Sequence, residues 1–108
     1  TDSLVGNIAS EVFSRFNLDY VFMGTHGMDS EFGFSSPNLV EAETNREVIR
    51  RAAKFVVLAD HTKWGIRGFT SFANFDTADI VITTEGISRN SLATLKQNVK
   101  DVRVASAS

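Results

Sequence analysis

Residues 55–65 read Phe-Val-Val-Leu-Ala-Asp-His-Thr-Lys-Trp-Gly, FVVLADHTKWG. The apolar run Phe55 to Ala59 is too short for a buried helix. Its β-branched content and lack of alternation are those of a strand covered on both faces, as in the centre of a parallel sheet. Its carboxyl end delivers Asp60, His61, Thr62 and Lys63 into a loop closed by Gly65. This stretch fixes the class of fold, because a parallel strand requires crossover connections and therefore helices on either side of it in the sequence.

Upstream, Pro37 and Asn38 mark a helix start, with Glu41 three residues after Asn38 as a capping partner. This helix is expected to run to about Lys54, its exposed face charged and Glu47 spaced to meet Arg50 and Arg51. Before it, Asp19 introduces Tyr20, Val21, Phe22 and Met23, a short run of β-formers ended by Gly24. From Ser3 to Phe16 the apolar residues Leu4, Val5, Ile8, Ala9, Val12, Phe13 and Phe16 repeat at helical spacing, which predicts an amphipathic helix. The segment Thr25 to Pro37 holds Gly27, Gly33, four Ser or Thr residues and the single proline, and is expected to be a long loop of functional interest.

Downstream, Phe69 to Phe75 alternates loosely and fits an edge strand or an irregular loop equally well. Asp79 opens the strand Ile80 to Thr83, Ser88 caps a helix that turns Leu92, Leu95 and Val99 inward, and Val102 to Val104 forms a last strand. The succession predicts an α/β fold with a mostly parallel sheet flanked by helices. A chain of 108 residues with 43% hydrophobic and 22% charged composition supports one core and one domain.

Composition also excludes functions. The 11 basic residues are interspersed among 13 acidic ones for a net charge of −2, so the chain carries no basic stripe for nucleic acid. No cysteine is present, which removes disulfides, thiolate catalysis and zinc fingers. No apolar run approaches the ~20 residues of a membrane span, and the start TDSLVGNIASEVF has no signal-peptide pattern, so a cytoplasmic location is expected. There is no GxSxG, GxGxxG or Walker A segment.

In open α/β sheets ligands bind beyond the carboxyl ends of the strands, here Gly24 to Asp29, Asp60 to Gly65 and Thr83 to Gly86. Lys63 is the first candidate, a cation at a strand end facing a phosphate or carboxylate. The competing reading is a solvated lysine whose stem lies on Trp64. Glu41 and Glu43, in the first turn of the Asn38 helix, are placed for general-base work or for a sugar hydroxyl. Carboxylates are common there on capping and dipole grounds alone. His26 and His61 both fall on strand-end loops, but neither has a second ligand at metal-site spacing, so no metal and no cofactor is expected.

Taken in order, Leu4-Val5-Gly6, Asp19 with Val21-Phe22-Met23-Gly24, Gly27-Met28-Asp29, Gly33-Phe34, Asn38 with Glu41-Ala42, Leu58-Ala59-Asp60, Thr62-Lys63-Trp64-Gly65 and Ile82-Thr83 resemble the C-terminal sensor domain of DeoR-family transcription regulators. The likeness spans nearly the whole chain. Its most specific element is ADHTKWG, similar to the family's Asp-x-Ser-Lys-Phe-Gly signature. Three positions depart: Thr84 stands where the family usually has Asp, and His61-Thr62 replaces a small residue and Ser.

The resemblance implies a fold like that of ribose-phosphate isomerases. It implies an effector pocket formed by Lys63, Glu41, Asn38, Asp60 and the loop through Gly24, Thr25, His26 and Gly27, binding a phosphorylated sugar or related metabolite. It further implies a repressor of sugar metabolism that self-associates and contacts DNA only through a winged helix-turn-helix outside this chain. On this reading residues 1–108 are part of the sensor domain, without its front third and its phosphate loop. The alternative is a sugar-phosphate isomerase-like enzyme. Glu41 and Lys63 match that enzyme's base and strand-end lysine, yet Gly24 and Gly27 stand where the enzyme's Asp-Gly-Ala-Asp-Glu segment has its aspartates. A non-enzymatic sensor is therefore expected. A third reading, a dimerisation module, draws on Phe69, Phe72 and Phe75 as an exposed aromatic set.

Overall fold

The computed structural model describes residues 11, 12 and 15–106. From Leu18 onward the described residues form strands and helices in the order β1 (Leu18–Met23), β2 (Gly27–Asp29), β3 (Gly33–Ser36), α1 (Leu39–Arg50), β4 (Ala52–Leu58), β5 (Thr70–Ala73), β6 (Ile80–Thr84), α2 (Arg89–Asn98) and β7 (Asp101–Ala105). Short 3-10 turns cover His61–Lys63 and Phe75–Thr77. The expected helix Ser3 to Phe16 lies largely outside the described residues; within them Glu11 and Val12 are helical.

β1, β4, β6 and β7 form one sheet in that order, and every pair in it is parallel. β4 sits in its interior as the FVVLA run requires, with Phe55, Val56 and Val57 all buried. Because β1, β4, β6 and β7 succeed one another in a single direction, right-handed crossovers must all pass over the same face. They do: Met28 and Phe34 from the first connection, Phe72 and Phe75 from the second and Leu95 from the third share one buried cluster with Phe55, Val57 and Val81. Phe34 is at its centre, with ring centroids 5.0 Å from Phe75, 6.3 Å from Phe55 and 6.5 Å from Phe72. On β1 the exposed residues Tyr20 and Phe22 alternate with the core-packed Val21 and Met23 and stack on one another at 5.9 Å.

Three expectations change and one open choice is settled. Thr25 to Pro37 is a hairpin, not a loop: β2 pairs antiparallel with β3, and β3 with β5, giving a second, three-stranded sheet. Asp29 closes its turn by accepting the N–H groups of Glu31 and Phe32 at 3.0 and 2.9 Å, and Gly33 takes the left-handed φ of 78° that follows. All four β3 residues are buried, so no alternation betrays the strand. Secondly, α1 stops at Arg50 and β4 begins at Ala52, earlier than the sequence suggests. No breaker separates them; the Arg51 carbonyl is captured by the Leu18 N–H at 2.8 Å, and pairing of Ala52 with Leu18 overrides the helix preference of the two alanines. Thirdly, Phe69 to Phe75 resolves into the edge strand β5 and a 3-10 turn. Finally, Phe72 and Phe75 are core residues and only Phe69 is exposed, at 74%, so no exposed aromatic trio exists. Among the described residues no helix is long and apolar enough to cross a membrane.

Candidate functional site

Parallel pairing brings the carboxyl ends of β1 and β4 to one edge of the sheet, and α1 starts beside them. A cleft of about 410 Å³ opens there, lined by Met23, Gly24, Thr25, His26, Pro37, Glu41, Asn45 and Lys63. Of the eight residues expected in the pocket, Gly24, Thr25, His26, Glu41 and Lys63 line it.

The other three do not line it and serve the backbone that frames it. Asn38 is the N-cap of α1: its Oδ1 accepts the Glu41 N–H at 2.8 Å, so the side chain is spent on the helix while Glu41 itself reaches the cleft. Asp60 caps the turn that carries Lys63, accepting the N–H of Thr62 at 2.9 Å and the Thr62 hydroxyl. These hydrogen bonds from Thr62, side chain first and backbone second, hold the Asp60 carboxyl below the usual carboxylate range, with lesser help from Lys63 and His61. Gly27 is buried in β2 against the neighbouring loop, where a Cβ would lie 2.0 Å from the Ile66 carbonyl oxygen. It sets how closely the hairpin approaches the Lys63 loop, and the Gly65 N–H bonds to the Met28 carbonyl at 2.6 Å just alongside.

Thr25 is partly engaged. Its hydroxyl oxygen accepts the Ser35 N–H at 3.2 Å and lies 2.8 Å from the Gly27 carbonyl, which staples the end of β1 to the hairpin. The Trp64 ring packs at 5.7 Å from Phe75, so the tryptophan anchors the turn in the core while its neighbour Lys63 lines the cleft. Asn45 was not singled out by sequence reading. Its signal was there: it lies four residues after Glu41, on the same face of α1. Glu43 is not among the cleft residues.

The strand-end histidines part company. His26 lines the cleft, whereas His61 turns to β6, with Nδ1 2.9 Å from the Thr84 hydroxyl. Two of the three positions that depart from the DeoR pattern, His61 and Thr84, are thus in contact with each other. Among the described residues no group of three or more His, Asp or Glu is arranged to hold a metal ion. Chemically the cleft offers one ammonium, one carboxylate, one carboxamide and an imidazole around a space of small-metabolite size.

Comparison with known proteins gives a consistent result. The profile of the DeoR C-terminal sensor domain matches residues 1–85. The chain is 40% identical over 83 residues to the HTH-type transcriptional regulator GlpR of Haloferax volcanii, covering 77% of this chain and 32% of that protein. It is 32% identical over 83 residues to the uncharacterized HTH-type transcriptional regulator FruR of Bacillus subtilis, covering 77% and 33% respectively. With the glycerol-3-phosphate regulon repressor of Escherichia coli K12 it shares 25% identity over 80 residues, 74% of this chain and 32% of the repressor. The chain spans about a third of the length of these relatives.

Proposed function

This chain belongs to the family of DeoR C-terminal sensor domains, and from that premise we propose that it binds a phosphorylated sugar or a related small metabolite in the strand-end cleft, as the sensing part of a transcription regulator of sugar metabolism. The observation that carries the reading is the convergence of Lys63 from the β4 end with Glu41 and Asn45 from α1 on one cleft. Lys63 suits a phosphate or carboxylate as a point charge, and Glu41 with Asn45 suits hydroxyls, one as acceptor and the other as both donor and acceptor. The regulator names of the three relatives described above, one of them a glycerol-3-phosphate regulon repressor, support it further.

The same reading assigns DNA contact to another part of the protein, consistent with a net charge of −2 and no basic stripe. It also assigns self-association, through which ligand binding reaches the DNA-binding part. Such coupling requires that the ligand bind one arrangement better than another, because equal affinity shifts nothing. A sugar-phosphate isomerase is the weaker reading. Proton transfer between adjacent carbons needs a base and enediolate stabilisation, and Gly24 and Gly27 supply no acid at the β1 end.

Isothermal titration calorimetry reads binding directly, since Trp64, the single tryptophan, packs toward Phe75 and does not line the cleft. Titration with a panel of sugar phosphates is expected to give saturable change with at least one of them, and Lys63→Ala to weaken it by about 10- to 100-fold, the worth of a charge-assisted hydrogen bond. Absence of a saturable response to every compound in the panel would sink the proposal.

A further inference from the structure

The ladder between β4 and β6 continues past the last residue of β4. The Ala59 N–H donates to the Ile82 carbonyl at 3.0 Å. A parallel ladder advances two residues per rung on each strand, so the next donor is the His61 N–H and the next acceptor belongs to Thr84. His61 does bond to Thr84, but to its side chain: the N–H reaches Oγ1 at 3.0 Å, in place of the backbone carbonyl. The same oxygen lies 2.9 Å from His61 Nδ1, so one hydroxyl engages both the backbone and the ring of His61. A hydroxyl can do this because it accepts through its lone pairs and donates its own proton to an unprotonated ring nitrogen. Behind the ring stands Gly86 at φ 108°, where a Cβ would come within 2.8 Å of Cε1.

His61 is also the first residue of the turn that carries Lys63. The Lys63 N–H donates to the Asp60 carbonyl at 3.1 Å and the Trp64 N–H to the His61 carbonyl at 3.2 Å. The turn therefore closes on His61, which Thr84 holds, and on its neighbour Asp60, so displacing His61 shifts the backbone that carries Lys63. Neither His61 nor Thr84 lines the cleft.

We infer that Thr84 and His61 are a positioning pair that fixes the Lys63 turn from the end of β6, an assignment that rests on the strand-end cleft being the ligand site. A side-chain rung is replaceable in a way a carbonyl rung is not, so the identity of residue 84 sets where the cleft's cation stands.

The test is Thr84→Val in the full chain, which keeps the shape of the side chain and removes the hydroxyl. Amide exchange at His61, Thr62 and Lys63 is expected to speed up by about tenfold or more, since the His61 N–H loses its partner, while Val56 and Val57 stay protected. Thr84→Ser restores slow exchange. Affinity for inorganic phosphate, used as the probe, falls several-fold in Thr84→Val, in the same direction as in Lys63→Ala. Should Thr84→Val not fold, His61→Ala is read in the same way, with the ring contact removed. Unchanged exchange at residues 61–63 in a folded variant overturns the inference. So does faster exchange with unaltered phosphate affinity, when the parent binds phosphate through Lys63. If Lys63→Ala has no effect on phosphate, the cleft reading fails instead; faster exchange then still supports the pair, and unchanged exchange still overturns it.

Discussion

At Asp29 one carboxylate does the work of a turn. Burial by itself would raise its pKa, but the N–H groups of Phe32 and Glu31 and the Arg67 guanidinium, 3.1 Å away, together outweigh this and hold the carboxyl below its usual 3.8. Since the folded value lies under the unfolded one, the contribution to stability is complete above pH 3.8 and disappears as pH falls through the lower, folded value. Asp60, lowered by Thr62, adds to the same acid limb. Asp29→Asn is expected to lower Tm at neutral pH and flatten its decline below about pH 4, as followed by circular dichroism against pH. An acid limb as steep as the parent's would show that the turn does not depend on the charge. The residues of the site divide by a similar logic. Lys63 and Glu41 were visible as strand-end and helix-start groups, and both line the cleft. Asn38 and Asp60 were equally visible, but a short polar side chain at a cap is consumed by the backbone it caps.

Among the elements, β2 and β3 were the least legible. They have three and four residues, are rich in glycine and serine, and bury nearly every position, so neither period nor propensity marks them. Their existence depends on β5, which comes more than thirty residues later, and on the close fit of Gly27 beneath Ile66. Gly27→Ala places a methyl against a backbone carbonyl that cannot swing aside. It is expected to cost about 1–3 kcal/mol as overpacking, measured by denaturant unfolding, and to weaken any ligand bound between the β1 end and the Lys63 loop. Stability within about 0.5 kcal/mol of the parent would mean that the hairpin and loop separate freely. β4, β6 and α2 were legible in type because their signals are local: a β-branched run, a capping serine, apolar residues at helical spacing. Only their ends moved, as at Arg51, where pairing with β1 decided the boundary.

Across the whole molecule, the direction of strand succession assigns the two faces of the parallel sheet to different fates. The face under the crossovers closes on Phe34, which is fully buried; the opposite face leaves Phe22 62% and Leu58 45% exposed. Phe34→Ala is expected to cost about 3–5 kcal/mol, a large part of the 5–15 kcal/mol a domain has in total. Phe22→Ser should change stability by about 0.5 kcal/mol or less. Urea unfolding of the two variants side by side checks this, and equal losses would mean that the exposed face is covered in solution. The sequence by itself determined the α/β class, the parallel strands and the edge of the sheet where the strand-end cleft opens, because these follow from hydrophobic period, caps and strand ends read within a few residues. Only the tertiary structure decided that Thr25 to Pro37 is a hairpin, that Phe72 and Phe75 are core, and that Glu41, Asn45 and Lys63 line one cleft while Asn38, Asp60 and Gly27 serve the backbone around it. Those outcomes depend on contacts between segments far apart in the chain, where burial and close approach, not local preference, set the geometry.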